Sequence, residues 1–430
     1  MNFVESVEYL LSLGNEVSAM KLGLENISKL LNALENPQKN YLKVQVAGTN
    51  GKGSVCAFVD SICGRAGIKA GLYTSPHLIS ITERIKIGGT EISEEDFTRH
   101  ASTIRETSEK LVASGALESV PTFFEQITAL ALTVFAEKNV DLAILETGLG
   151  GRLDATTAAN AEIAVITQID YDHQEYLGET LAEIAAEKAA IIRAGSTVVS
   201  ARQPSDAERV ILRRCNEFDV VPNWATNQII PKSRDAEKPK PGAIFATAKS
   251  TYSVAKIGLR GTHQLTNASV AIAVAETLSV SGFRITNKDI CIGLETAKHP
   301  GRLEYVGDYL LDGAHNVAGV LSLRQFLEEF EPGPVTLIFG IMRDKDIEAI
   351  ARILFPLASA IVLTTPDNMR AMPTADIAAI APSVPARVWQ TTTLKEAMDV
   401  AESETESGGI KLVTGSLYLV GEARKILNNR

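Results

Sequence analysis

The segment AGTNGKGS (47–54) follows an apolar stretch, YLKVQVAG (41–48), and leads into a helix-forming one from Val55 to Arg65. A glycine-rich turn between a strand and a helix offers backbone N–H groups and the positive end of the helix dipole to a phosphate. The segment fits G-x-x-G-K-[GT]-[ST] and not the longer GxxxxGK[ST], because Val46 stands where the longer motif has its first glycine. Gly48, Thr49, Asn50, Gly51, Lys52, Gly53 and Ser54 are therefore the expected nucleotide-phosphate site. Gly51 and Gly53 permit close backbone approach, Lys52 reaches β- and γ-phosphate oxygens, and the Ser54 hydroxyl meets Mg²⁺.

Three more residues carry chemistry. Glu146 closes the apolar run DLAILE, and His173 lies in the loop IDYDH after AEIAVIT. Open parallel sheets bind ligands beyond the carboxyl ends of their strands. Both residues thus belong near the phosphate loop, where a carboxylate and an imidazole suit a divalent metal. The third is Lys188 in LAEIAAEKAAIIRAG (181–195), read as a helix with Gly195 as its stop. Its neighbours three and four residues away are Ile184, Ala185, Ile191 and Ile192, so the ammonium is drawn on the apolar stripe. For a lysine taken alone the simpler account is snorkelling, in which the stem packs and the charge reaches water.

The elements that position these residues alternate. A helical segment from Leu22 to Leu34 precedes the first strand. GLYTS, DLAILE, AEIAVIT and TVVSA read as further strands, with helices over Ser93–Ala113, Thr122–Lys138 and Asp206–Cys215. Strands apolar on both faces and separated by helices imply a covered parallel sheet. The polar, proline-rich run 231–243 reads as a solvated loop within a small β region, and 263–282 as a helix. KHPGRLE (298–304) reads as a linker, after which YLLDGAHN, VTLIFG, AIVLTT, ARVWQ and IKLVTG restart the alternation. The expected architecture is α/β: a phosphate-loop, parallel-sheet ATPase domain over 1–297, then a smaller Rossmann-like domain over 298–430.

Composition narrows the function classes. The 430 residues carry a formal net charge of −10, which argues against nucleic acid as the main partner. No apolar run reaches the roughly 18–20 residues of a membrane span. The N-terminal MNFVESVEYLLSLG lacks the basic segment of a secretory signal. Cys56, Cys63, Cys215 and Cys291 show no paired spacing, which points to a reducing, cytoplasmic setting. A monomer is expected.

The ordered set of motifs resembles the Mur ligase superfamily and, within it, the folylpolyglutamate synthase/dihydrofolate synthase branch. The motifs are AGTNGKGS, TSPHL with ERI, TFFEQIT, ETGLGGRLDAT, DHQEYLG with EKAAIIRAG, GTHQLTNA, HPGRLE, LDGAHN, GIMRDKD and TGSLYLVGE. Three departures stand out: IDYDH for the usual L-D-H, KAAII for KAGII, and DATT for DATN. The resemblance implies ATP and two Mg²⁺, one on Ser54 and Glu146, the other on Glu146, His173 and a Lys188 carbamylated by CO₂. It implies that Asn267 and Arg302 contact ATP and that Asp312 and His315 complete the nucleotide site. It assigns Ser75, His77, Arg84, Thr122, Phe124, Asp154 and Ala155 to the folate side. The implied catalytic set is Lys52, His173, Lys188, Asp312 and His315.

The implied reaction is ATP-dependent amide formation between L-glutamate and dihydropteroate, a reduced folate, or both, through an acyl phosphate. Gly301 marks a hinge for closing the small domain. Two readings compete. A cell-wall precursor ligase would need a dedicated N-terminal domain, and about 40 residues before the first strand are few for one. A nucleotide-switched binding protein would be expected to lack Ser54, Glu146, His173 or Lys188.

Overall fold

The computed structural model describes residues 1–14, 23–232, 240–381 and 384–429. Eight strands build the first sheet: β1 (Leu42–Ala47), β2 (Ala70–Tyr73), β3 (Ile85–Ile87), β4 (Thr90–Glu91), β5 (Leu142–Glu146), β6 (Ile163–Ile166), β7 (Thr197–Ser200) and β8 (Asn223–Trp224). Their order is β4-β3-β2-β5-β1-β6-β7-β8. The pairs from β2 to β8 are parallel, and β3 and β4 add an antiparallel edge.

Alternation along the strands decides which helices pack where. Val44, Val46, Leu142, Ile144, Ile163 and Val165 face one core, shared with the helices Lys52–Arg65, Gln264–Val280 and Asn287–Thr296. Ala143 and Leu145 face a second core under the helices Phe3–Ser12, Glu25–Ala33, Glu94–Ala113 and Phe123–Glu137. Ala47, Ala164, Ile166 and Val198 face a third, under Leu181–Ala189 and Ser205–Glu217. The central strand β1 therefore ends in the phosphate loop with covering layers on both sides.

A small antiparallel sheet follows, of β9 (Ile229–Pro231), β10 (Ala243–Ala246) and β11 (Thr251–Val254). Of the expected loop over 231–243, residues 233–239 lie outside the described residues, as does Leu22 at the start of the expected N-terminal helix. The second domain carries β12 (Glu304–Val306), β13 (Tyr309–Leu311), β14 (Val335–Phe339), β15 (Ala360–Leu363), β16 (Arg387–Gln390) and β17 (Ile410–Thr414), ordered β12-β13-β17-β14-β15-β16. The linker thus runs straight into a strand, since β12 pairs antiparallel with β13. Among the described residues no helix is long and apolar enough to cross a membrane.

Two boundaries differ from the sequence reading. The helix after the phosphate loop begins at Lys52, three residues before Val55. The helix bearing Lys188 starts on a Thr180–Glu183 capping box but ends at Ala189, well short of Gly195. Its last turn is occupied from outside: the Arg152 N–H donates to the Glu187 carbonyl at 2.9 Å. A Cβ on Gly151 would lie 2.8 and 2.9 Å from the Glu187 and Lys188 carbonyl oxygens, so only glycine lets the loop approach so closely. Ile191 and Ile192 are buried in a following turn and do not continue the helix.

The helices Lys52–Arg65 and Asn287–Thr296 touch at Gly293, where an added Cβ would sit 2.6 Å from the Ile62 Cα. Gly293→Ala should force these helices apart at a cost of about 1–3 kcal/mol. The expected readout is a lowered thermal midpoint for the first domain, and an unchanged midpoint would contradict this packing.

Candidate active site

The phosphate loop is stapled to the loop after β6. The N–H groups of Thr49 and Asn50 donate to the Gln168 carbonyl at 2.9 and 3.3 Å, and the Thr49 hydroxyl exchanges hydrogen bonds with the Asp170 backbone. Gly51 has φ +88°, and a Cβ there would lie 2.3 Å from Asn267 Oδ1. Asn267 donates to Gln264 at 2.9 Å, and Gln264 in turn donates to the Ser54 hydroxyl at 3.2 Å. The helix Gln264–Val280 therefore holds Asn267 against the loop, in keeping with the expected nucleotide role.

Lys188 does not snorkel. It is 4% exposed, and its ammonium donates to the Gly48 carbonyl at 2.9 Å. Lys52 donates to the same carbonyl at 3.0 Å and to that of Thr49 at 3.2 Å. Burial, and then the Lys52 charge, push the Lys188 pKa down to about 7, against the pull of Asp172 and Asp154. The side chain is thus poised between ammonium and amine.

Glu146, at the end of β5, is buried and accepts the Ser75 N–H at 3.2 Å. Burial raises its pKa, opposed by Lys52, the Ser75 hydrogen bond, Arg302 and Arg84. A desolvated carboxylate with one backbone donor calls for a cation. His173 sits in the left-handed region with φ +50°, and burial lowers its pKa to about 4, so the ring is a neutral imidazole near pH 7. Among the described residues no three His, Cys, Asp or Glu side chains form a metal cluster. The donors fit Mg²⁺ only as a mixed set, with the Ser54 hydroxyl, Glu146, His173 and a Lys188 converted to an anion.

A cavity of about 690 Å³ unites these residues. Thr49, Asn50, Gly51, Lys52, Gly53, Ser54, Ser75, Thr122, Phe124, Glu146, Asp154, Ala155, His173, Lys188, Asn267, Arg302, Asp312 and His315 all line it. Gly48, His77 and Arg84 do not. Gly48 lies behind the loop, accepting both ammonium groups. Arg84 is buried in the wall, its Nε donating to His77 Nδ1 at 2.8 Å and its guanidinium 5.3 Å from the Phe123 ring. These two residues bond each other outside the cavity lining.

Two of the cavity-lining carboxylates also accept backbone N–H groups. The Asp154 carboxylate accepts the N–H groups of Gly148, Leu149 and Thr156 at 2.8, 3.1 and 3.0 Å, which shapes the GLGGRLDAT loop. Phe124 packs against that loop, since a Cβ on Gly148 would come within 2.6 Å of its ring. Asp312 gives one oxygen to the Leu303 N–H at 2.9 Å and the other to that of Ala314 at 3.0 Å. It fixes the linker beside Arg302, and Gly301, with φ +72°, bonds Gly313 across it at 3.0 Å.

The residues the sequence reading missed join the two domains. Asp172 receives Lys345 at 2.9 Å and Asn316 at 2.8 Å, with His315 Nε2 at 3.9 Å. Burial would raise its carboxyl, yet His315, His173, Lys345 and the Asn316 hydrogen bond hold it well below the usual carboxylate range. Asn316 also caps the helix Val317–Phe330 and donates to Asn50 at 3.2 Å. Asn316 is thus both the cap of that helix and a partner of the Asp172 carboxylate. Asp172, Asn316 and Lys345 all lay inside motifs already singled out, and their shared target was not visible there.

Two family models match the chain: the Mur ligase middle domain over residues 46–275 and the Mur ligase glutamate ligase domain over 301–417. A dihydrofolate synthase/folylpolyglutamate synthase of Bacillus subtilis is 34% identical over 414 residues, covering 95% of each chain. A solved Mycobacterium tuberculosis folylpolyglutamate synthase complexed with ADP superposes with a TM-score of 0.91 at 30% identity, covering 99% of this chain and 98% of that one. An E. coli FolC structure in complex with DHPP and ADP gives a TM-score of 0.87 at 27% identity, with 100% and 98% covered. The chain belongs to the Mur ligase family, on its folylpolyglutamate synthase/dihydrofolate synthase branch.

Proposed function

We propose that the protein is an ATP-dependent ligase that joins L-glutamate, through an amide, to dihydropteroate, to a reduced folate, or to both. The observation that carries this reading is one cavity bearing a phosphate loop, a buried carboxylate and a desolvated lysine on one side and the Phe124 wall on the other, covered by the second domain. The names of the relatives supply the substrate class. The four cysteines are unpaired, which supports a cytoplasmic setting, and we read the protein as a monomer.

A substrate carboxylate oxygen attacks the γ-phosphorus of ATP, the bond to ADP breaks, and an acyl phosphate forms. The glutamate amine then attacks the acyl carbon, phosphate leaves, and a proton is lost. Two Mg²⁺ would be held here, one by Ser54 and Glu146 and the other by Glu146, His173 and modified Lys188, and would supply charge neutralisation at the phosphoryl oxygens. The chain's part is placement. Lys52 turns from the Gly48 and Thr49 carbonyls to the phosphates, and the loop N–H groups fix the transferring group. Asp172, gripping Lys345 and Asn316, keeps the second domain over the acyl phosphate and water away from it.

Lys188 acts as the amine: its nitrogen bonds to CO₂ and a proton leaves, giving an anionic carbamate. One N–H remains for the Gly48 carbonyl, so the existing hydrogen bond survives the change. Because the amine fraction rises as pH passes upward through about 7, activation by CO₂ should be weak at pH 6 and strong at pH 8. Activity of CO₂-stripped protein with and without bicarbonate measures this, and equal activation at both pH values would contradict it.

Lys188→Ala should abolish ligation, with partial rescue by short carboxylates, whereas full turnover in the variant would overturn the carbamate reading. Asp172→Asn should lower kcat at least about tenfold while leaving ADP affinity within a few-fold, since the interdomain grip and not the phosphate loop is lost. Equal kcat in that variant would remove the closure role. Product mass after incubation with Mg-ATP, glutamate and either dihydropteroate or tetrahydrofolate tests the activity itself. Addition of one glutamyl unit to at least one acceptor is expected, and ADP release without such a product would contradict the ligase reading.

A further inference from the structure

His299 belongs to the interdomain linker, yet its side chain lines the cavity at the phosphate loop. A Cβ on Gly53 would lie 2.7 Å from His299 Nε2 and 3.4 Å from Glu146 Oε1, so an imidazole nitrogen and a carboxylate oxygen border the same point. Gly53 is the residue just before Ser54, at the first turn of the phosphate-loop helix. Among the described residues, none hydrogen-bonds to the His299 ring. Besides the Glu146 carboxylate, the cations Arg302 and Lys86 lie near, and burial together with these two cations lowers its pKa to about 3, leaving a neutral ring.

We propose that His299 is a further ligand of the metal ion held by Ser54 and Glu146, approaching it from the linker across Gly53. An imidazole nitrogen and a carboxylate oxygen that border one point, with no hydrogen bond or ion pair joining them, leave room for a cation between them. The donors such a cation would need besides the ring, the Ser54 hydroxyl and the Glu146 carboxylate, line the same cavity. Phosphate at this point already has the N–H groups of the helix start, and Lys52 supplies its charge. A neutral nitrogen adds what they lack, a lone pair for a metal. Because His299 sits three residues before Arg302, metal loading would also fix the linker that sets the second domain over the site.

The inference rests on the metal site proposed above, and Mn²⁺ with a non-hydrolysable ATP analogue separates the two. In full-length protein carrying His173→Asn, which removes the imidazole already assigned to the metal site, electron spin echo spectra of bound Mn²⁺ should still show nitrogen coupling. The coupling should vanish in the His173→Asn/His299→Asn double variant. Bound Mn²⁺ without nitrogen coupling in the first protein, or coupling that persists in the second, would overturn the assignment of His299. Failure of the wild-type protein to bind Mn²⁺ would instead overturn the metal site itself. If the variants fold poorly, affinity ratios in His299→Asn alone decide. Nitrogen ligation favours Mn²⁺ over Mg²⁺, so the ratio should fall at least about threefold. An equal loss for both metals would assign the ring to phosphate and overturn the proposal.

Discussion

The hydrogen bond from the buried Lys188 ammonium to the Gly48 carbonyl sets the terms for the rest of the site. It ties the helix Leu181–Ala189 to the phosphate loop from behind, and it places a titrating amine next to Lys52. Two ammonium groups on one carbonyl make a crowded positive pocket, which an unmodified Lys188 occupies at a desolvation cost. The proposed change of Lys188 to an anion would neutralise that pocket and give a bound divalent cation an oxygen donor. The neighbouring Glu146 carboxylate is desolvated too, burial raising its pKa against the pull of Lys52. The two burials are destabilising separately and complementary together.

The second constraint lies at the domain boundary. Asp172 is one residue from His173 in the first domain, yet its partners Lys345, Asn316 and His315 come from the second. Lys345 also reaches within 3.5 Å of His173 Nε2. The contacts across the domain boundary and a cavity-lining imidazole are therefore carried by adjacent residues on one loop. The Asp312 carboxylate, clamped onto the backbone of Leu303 and Ala314, holds the linker so that Arg302 faces both Glu146 and the small domain.

The alternation of strands and helices was legible in the sequence because the central strands are buried on both faces and therefore continuously apolar. It revealed Lys188 because a lysine among isoleucines violates the amphipathic pattern. It misjudged where that helix stops. Ile191 and Ile192 extend the apolar pattern, while the actual terminator is the distant backbone of Gly151 and Arg152 packing on the last carbonyls. Asp154, Asp312, His77 and Arg84 were recognisable as motif residues, but a motif does not say whether a carboxylate faces a ligand or its own loop. Asp172, Lys345 and Asn316 were missed for a related reason: a pair 173 residues apart leaves no local pattern. The shifted pKa values arise the same way, from burial that only the tertiary packing creates.

The account stands or falls on Lys188 as a carbamate. Carbon-13 NMR of the protein equilibrated with labelled bicarbonate at pH 8, with Mg²⁺ and an ATP analogue, measures it directly. The account predicts one slowly exchanging carbamate resonance in the wild-type protein that is absent from Lys188→Ala. No such resonance in an active wild-type preparation, or one that persists in the variant, would contradict it.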